Sequence, residues 1–322
     1  KKVLPHEKTF PKHKVDRLNL LRATNTNTGQ IFLLYNDDDR RVLGSIEDAL
    51  KTAELGAELE DEDGFTHRLR IIKDSSAIQS IQQAMEDRVL IIADGHHRYE
   101  TSLNYMKEKT AQMKEVRGDE PFHYIMMTLF RLDDPGLVIL PTFRLAKGLD
   151  RLSEDRFKEV LLPYFDIHDI TAPDPLETEI STSVRSRVNI EPHTFAIYIA
   201  PLEKFCILRL KSEDLLDREI DEGKSRAWKR LNVAILHSLI IDKLKPLTSS
   251  VFSLENNISY IRNLEEGLRK VKDGEFQMLF FLRSVSLKEI REVVENGELM
   301  PQKSTDFFPK LKSGLVMNPL DE

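Results

Sequence analysis

One short run limits what this chain can fold into more than any other. Ile91-Ile92-Ala93-Asp94-Gly95-His96-His97-Arg98-Tyr99-Glu100 begins as an apolar strand, breaks at Asp-Gly and continues with helical spacing through Leu103, Tyr105 and Met106. A strand, a tight glycine turn and a helix start bring backbone N–H groups and an arginine to one point. The first N–H groups of a helix have no partner inside it, so such a turn suits an anion, phosphate in particular. Gly95 lets the backbone approach a ligand closely, and Arg98 can fork onto phosphate oxygens. His96 and His97 point in different directions on a regular element, which suits hydrogen bonding to phosphate or transition-state charge better than a shared metal. Asp94 can cap the helix or hold magnesium through water. Asp94 and His97 are also reserve candidates for a general base. The structural alternative is a capped helix start with solvated histidines.

Other clusters are weaker alone. His6-Glu7-Lys8-Thr9 gathers a base, a carboxylate, a cation and a hydroxyl, but in isolation it reads as a surface loop. Lys303-Ser304-Thr305, after Met300-Pro301, sets a lysine beside two hydroxyls and can contact phosphate, although the glycines of a Walker loop are missing. Asn36-Asp37-Asp38-Asp39 reads as a solvated hairpin tip rather than a metal site. His237, inside an apolar helix, is either a satisfied core histidine or a catalytic one. The single cysteine, Cys206, excludes an internal disulfide framework and a cysteine-rich zinc site. It reads as buried and inert. A net charge of -7 argues against a general DNA-coating role, which needs a basic face. No apolar run approaches the roughly 20 residues needed to cross a bilayer, so no membrane partner is expected and cytoplasm is the default.

Periodicity places strands at 31–35, 66–72, 122–130, 137–140, 165–168, 195–199, 205–210 and 276–282. Helical spacing appears at 46–53, 78–85, 152–161, 231–245, 264–271 and 287–295. Residues 1–30 are polar, with a loop at 25–29, and 171–192 read as loop or weak helix. With 322 residues the chain is long enough for two domains. The expected architecture is α/β (α+β), divided near 145–150.

Asp94-Gly95-His96-His97-Arg98-Tyr99-Glu100 resembles the signature of the bacterial and archaeal domain-of-unknown-function 1015 proteins, often labelled ParB-like. Its core, Gly-His-His-Arg-Tyr-Glu, resembles the arginine box of the ParB nucleotide-binding fold, shared with free-serine kinases. Leu4-Pro5-His6-Glu7-Lys8-Thr9 with Asp16-Arg17-Leu18 resembles the family's first block. Residues 133–142 resemble another, and Met300-Pro301, Lys303-Ser304-Thr305, Phe308-Pro309-Lys310 and Gly314-Leu315-Val316 the last. The family carries an aromatic where this chain has Asp306 and a histidine where it has Phe143. The resemblance implies about a hundred further residues before the first block, the size of a small domain.

What the resemblance implies is a ParB-like nucleotide-binding domain over 1–147 and a second α/β domain over 148–322 whose last block returns to the site. The activity implied is nucleotide-dependent phosphoryl transfer to a small hydroxyl substrate, with free L-serine giving O-phosphoserine. Glu7 would take the hydroxyl proton, with Lys8, Thr9 and the turn from Asp94 to Arg98 on phosphate. Lys303, Ser304, Thr305 and Lys310 would close over the transferred group, so Glu7, Arg98 and Lys303 are expected in one cleft. ADP or ATP is the expected donor, with magnesium. The competing reading is a nucleotide-operated binding protein in the manner of CTP-binding partition proteins, a homodimer clamped by nucleotide. No convincing helix-turn-helix supports the DNA-loading version. A third reading, metal-assisted ester hydrolysis by Asp94, His96 and His97, needs a fuller ligand set.

Overall fold

A computed structural model of the chain describes residues 2–7, 11–62, 64–170, 188–248 and 252–321, with the backbone alone for 11–13. The architecture is mixed α/β, in two compact units. One consists of Lys1–Leu4, Lys12–Leu137 and Leu311–Glu322, the other of Pro5–Pro11 and Val138–Lys310.

The first unit is built on Ile31–Tyr35, an entirely apolar strand buried at every position. It runs antiparallel to Leu90–Asp94 and parallel to Met127–Arg131, and Val3–Pro5 completes a sheet of four strands among the described residues. The pairing slips once: Phe32 faces Asp94 but Leu33 faces Ile92, leaving Ala93 as an extra residue. A bulge of this kind bends the strand end and re-aims its side chains, here just before the glycine turn. Glu54–Glu60 pairs with the expected strand, Thr66–Ile71, in a hairpin, and Ser75–Met85 forms the expected helix, capped by Asp74.

Three expectations in this unit need correction. Residues 11–24, read as part of a polar stretch, form the helix Pro11–Thr24. It has no apolar stripe; Leu21 is buried against Tyr105 and Leu320, so the helix is a product of tertiary packing. The triple aspartate is no hairpin tip. Asp37 is 2% exposed and its carboxylate accepts from the Val42 and Leu43 N–H groups at 3.1 and 2.8 Å, heading the helix Arg41–Leu50. Arg88 pairs with it at 3.1 Å. Of 122–130, only Met127–Arg131 is strand, after a 3-10 turn at Pro121–His123.

The second unit carries an antiparallel sheet in the order Phe165–Ile170, Lys204–Leu210, Thr194–Ile199, Met278–Phe281, Phe143–Ala146, Ile258–Ile261. Thr194–Ile199 is buried along its whole length, so both sheet faces are covered. On one face Leu264, Leu268 and Val271 of the helix Leu264–Lys272 pack against Leu145, Ala196 and Leu279. Periodicity expected one helix over 231–245. The chain instead passes through Asn232–Ile235, a π-helical turn at Leu236–Ile241 and a 3-10 stretch at Asp242–Leu247. Pro246, inside that 3-10 stretch, has no N–H to donate, so regular α-helix cannot continue through it. Most of the segment expected as loop, 171–187, lies outside the described residues.

Asp37→Ala removes both the helix cap and one partner of a largely buried ion pair. The expected cost is about 3 kcal/mol, the low end for breaking such a pair, because Arg88 keeps Asp39 at 2.5 Å. Urea unfolding should show a lower midpoint at unchanged slope; an unaltered midpoint would leave Asp37 without a structural role.

Candidate functional site

In the second unit, residues far apart in sequence build a partly buried polar cluster around Glu7. A parallel bridge pairs Glu7 with Met300, and the Met300 N–H donates to the His6 carbonyl at 2.8 Å. This short pairing lays residues 5–7 along the turn that follows Met300. There the Lys303 N–H donates to Glu7 Oε1 at 3.0 Å. Lys303 adopts φ 57, a left-handed backbone uncommon outside glycine, which aims that N–H at the carboxylate. His6 is 1% exposed, with Nε2 2.8 Å from Thr305 Oγ1 and the Phe307 ring edge-on at 5.8 Å.

Burial pushes the Glu7 carboxyl up to about 6. The N–H groups of Lys303 and Ser304 and the charges of Lys303 and Arg144 oppose that rise without cancelling it. Arg144, also buried, donates from Nη2 to the Lys303 carbonyl at 2.8 Å and lies over the Tyr260 ring at 5.5 Å. Burial lowers it to about 10, so it stays cationic at neutral pH. His237, on the π-helical turn, is pushed down to about 3 by burial and by Arg144, and is neutral. A carboxylate with ordered donors and an affinity for protons near neutrality can take a proton from a hydroxyl.

The other candidates of the last block divide. The Thr305 hydroxyl meets His6, and the Ser304 hydroxyl donates to the Pro301 carbonyl. Lys310 pairs at 2.6 Å with Asp306, which is 5% exposed and also held by Arg262 at 2.7 Å. Lys8 and Thr9 lie outside the described residues. Arg144 and Tyr260 were missed; the available signal was an arginine inside an otherwise apolar tetrapeptide, Phe143–Ala146.

In the first unit, Leu90–Asp94 leads through Gly95, φ 94, into the helix His96–Gln112 as the signature implied. The Arg98 guanidinium folds back, with Nη2 donating to the Gln30 carbonyl at 3.0 Å and to Asp94 Oδ2 at 3.2 Å. Its Nε is buried without a hydrogen-bond partner, and so is the Thr101 hydroxyl. Both residues line a cleft with about 420 Å³ of empty space, solvent included, together with Arg17, Thr28, Gly29 and Ser102. His96 and His97 open the helix. Among the described residues no three His, Cys, Asp or Glu side chains converge as metal ligands, so the metal-hydrolysis reading finds no ligand set there. No described helix is long and apolar enough to cross a membrane.

A family model described as "Protein of unknown function (DUF1015)" matches residues 1–234. Among curated proteins no sequence match is found. Among solved structures, the chain is similar to a conserved hypothetical protein from Pyrococcus furiosus, at 12% identity over 97% of this chain and 91% of that one, with a TM-score of 0.42. It is similar to a free serine kinase in complex with AMP, at 13% identity over 97% and 88%, with a TM-score of 0.43. A third similarity is to SbnI with a C-terminal truncation from Staphylococcus aureus, at 13% identity over 99% and 84%, with a TM-score of 0.42.

Gly95→Ala tests the turn. A Cβ at this position would lie 2.9 Å from Arg98 Nη2 on a backbone that L side chains rarely adopt. The expected loss is about 1–3 kcal/mol of stability in urea unfolding. A variant as stable as the wild type would rule out the left-handed turn and its contact with Arg98.

Proposed function

The chain belongs to the DUF1015 family, and from that premise we propose that it transfers a phosphoryl group from a nucleotide to the hydroxyl of a small molecule, free L-serine in the first instance. The observation that carries this reading is Glu7: a carboxyl drawn up to about 6, with a fixed N–H donor on one oxygen. Phosphoryl transfer asks a protein for positioning, charge neutralisation and a group that takes the nucleophile's proton. Glu7 takes the serine hydroxyl proton as the oxygen attacks the terminal phosphorus of ADP or ATP; the P–O bond to the leaving nucleotide breaks, and O-phosphoserine forms. In the first unit the helix start after Gly95, with Arg98, His96 and His97, offers donors to phosphate oxygens; in the second unit Lys303 adds positive charge beside Glu7. Asp94, exposed at the head of the helix, is the carboxylate that would hold through water a magnesium ion carried by the nucleotide.

The decisive assay incubates the protein with magnesium, serine and each of ADP, ATP and CTP, and looks for O-phosphoserine by mass spectrometry. If nucleotide binds but no hydroxyl compound is phosphorylated, the chain is a nucleotide-operated binding protein instead. Glu7→Gln keeps the shape of the side chain but cannot accept a proton. Its rate should fall about a hundred- to ten-thousand-fold while nucleotide affinity, measured by calorimetry, is retained. The wild-type rate should be low where Glu7 is protonated, rise through pH about 6 and level off above it. Full activity in the variant, or a rate that falls across that interval, removes Glu7 as the base.

A further inference from the structure

One buried charge beside Glu7 touches neither substrate nor nucleotide in the proposed reaction. Arg144 lies in the strand Phe143–Ala146 and is 1% exposed. Tyr260, directly opposite on Ile258–Ile261, sets its ring against the guanidinium. The fork reaches two carbonyls: Nη1 donates to Thr142 and Nη2 to Lys303, the latter at 2.8 Å. Lys303 is therefore gripped on both sides, its carbonyl by Arg144 and its N–H by Glu7. Its left-handed backbone, φ 57, is one that a lysine seldom adopts without support.

We propose that Arg144 is a positioning residue for Glu7: it holds the left-handed backbone of Lys303 and so aims the Lys303 N–H at the Glu7 carboxylate. The consequence for the reaction rests on Glu7 being its base, whereas the positioning itself is a property of the free protein. A planar guanidinium can span the Thr142 and Lys303 carbonyls at once, and an ammonium in the same place supplies the charge without the fork. If Arg144 only neutralised charge, lysine would replace it fully. If it only packed, the titration of Glu7 would be indifferent to the conformation of residue 303.

The test is a pH titration of Glu7 by carbon-detected NMR on protein labelled at the glutamate carboxyl, with the Glu7 signal identified by its loss in Glu7→Gln. Loss of an N–H donor to a carboxylate raises its proton affinity, so Arg144→Lys should raise that of Glu7 by about threefold or more. In a Lys303→Gly background the left-handed conformation needs no support, and the same substitution should displace the midpoint less than half as far. An equal displacement in both backgrounds, or none in either, overturns the proposal. Should Arg144→Lys not fold, Tyr260→Leu loosens the same guanidinium at a half-buried position and should move the midpoint the same way; no movement there overturns it as well. The phosphorylation assay on the same proteins separates the two readings. Absence of product in the wild type sinks the proposed activity while the titration still decides the role of Arg144. Where product forms, Arg144→Lys should lower kcat and leave the nucleotide Kd unchanged.

Discussion

Burying a carboxylate is costly unless hydrogen-bond donors replace the water it loses, and in the second unit that requirement is met by residues from opposite ends of the chain. Glu7 and Lys303 are 296 positions apart, joined by one N–H···O bond and by the Glu7–Met300 bridge beside it. The donors do not win outright. The rise from 4.5 to about 6 corresponds to about 2 kcal/mol in favour of the neutral carboxyl. Desolvation therefore exceeds the combined pull of two N–H groups and two cations. A stronger set of donors would have left an inert anion, and a weaker set a permanently protonated acid. The balance reached is that of a group able to exchange a proton near neutral pH.

Arg144 shows the same accounting for the opposite charge. Burial lowers it, but only to about 10, because Tyr260 and the field of Glu7 favour the cation. At neutral pH it is a fixed cation behind a titrating anion. His237, buried and facing the same positive charge, is held neutral. The three groups differ in what surrounds them more than in depth of burial, and their protonation follows from that.

Much of this could be read from local sequence, but only where one period dominated. Ile31–Tyr35, the Gly95 turn, the hairpin of Thr194–Ile199 with Lys204–Leu210, and the helices Leu264–Lys272 and Leu287–Glu295 follow from apolar spacing and capping residues. Pro11–Thr24 lacked an apolar face to announce it, and its contacts come from Tyr105 and Leu320. Phe143–Ala146 escaped because Arg144 interrupts its apolar run, and that arginine is inward because of a carbonyl and a ring supplied by other segments. Asp37 looked like solvent-facing acid because nothing nearby in sequence revealed Arg88. Glu7 and Lys303 were singled out through resemblance to family blocks; no local pattern could have shown that the backbone of one binds the side chain of the other.

The Asp306 position carries the same logic elsewhere in the second unit. An aromatic there would be content in an apolar setting, whereas a carboxylate 5% exposed demands cations, and it has recruited Arg262 and Lys310. Lys310 is thus engaged rather than waiting for phosphate. Yet one carboxylate between two cations leaves a net positive charge, and Lys310 remains partly exposed on its outer side. The carboxylate at 306 therefore fixes how Lys310 is held more than it cancels the positive charge of this corner of the second unit.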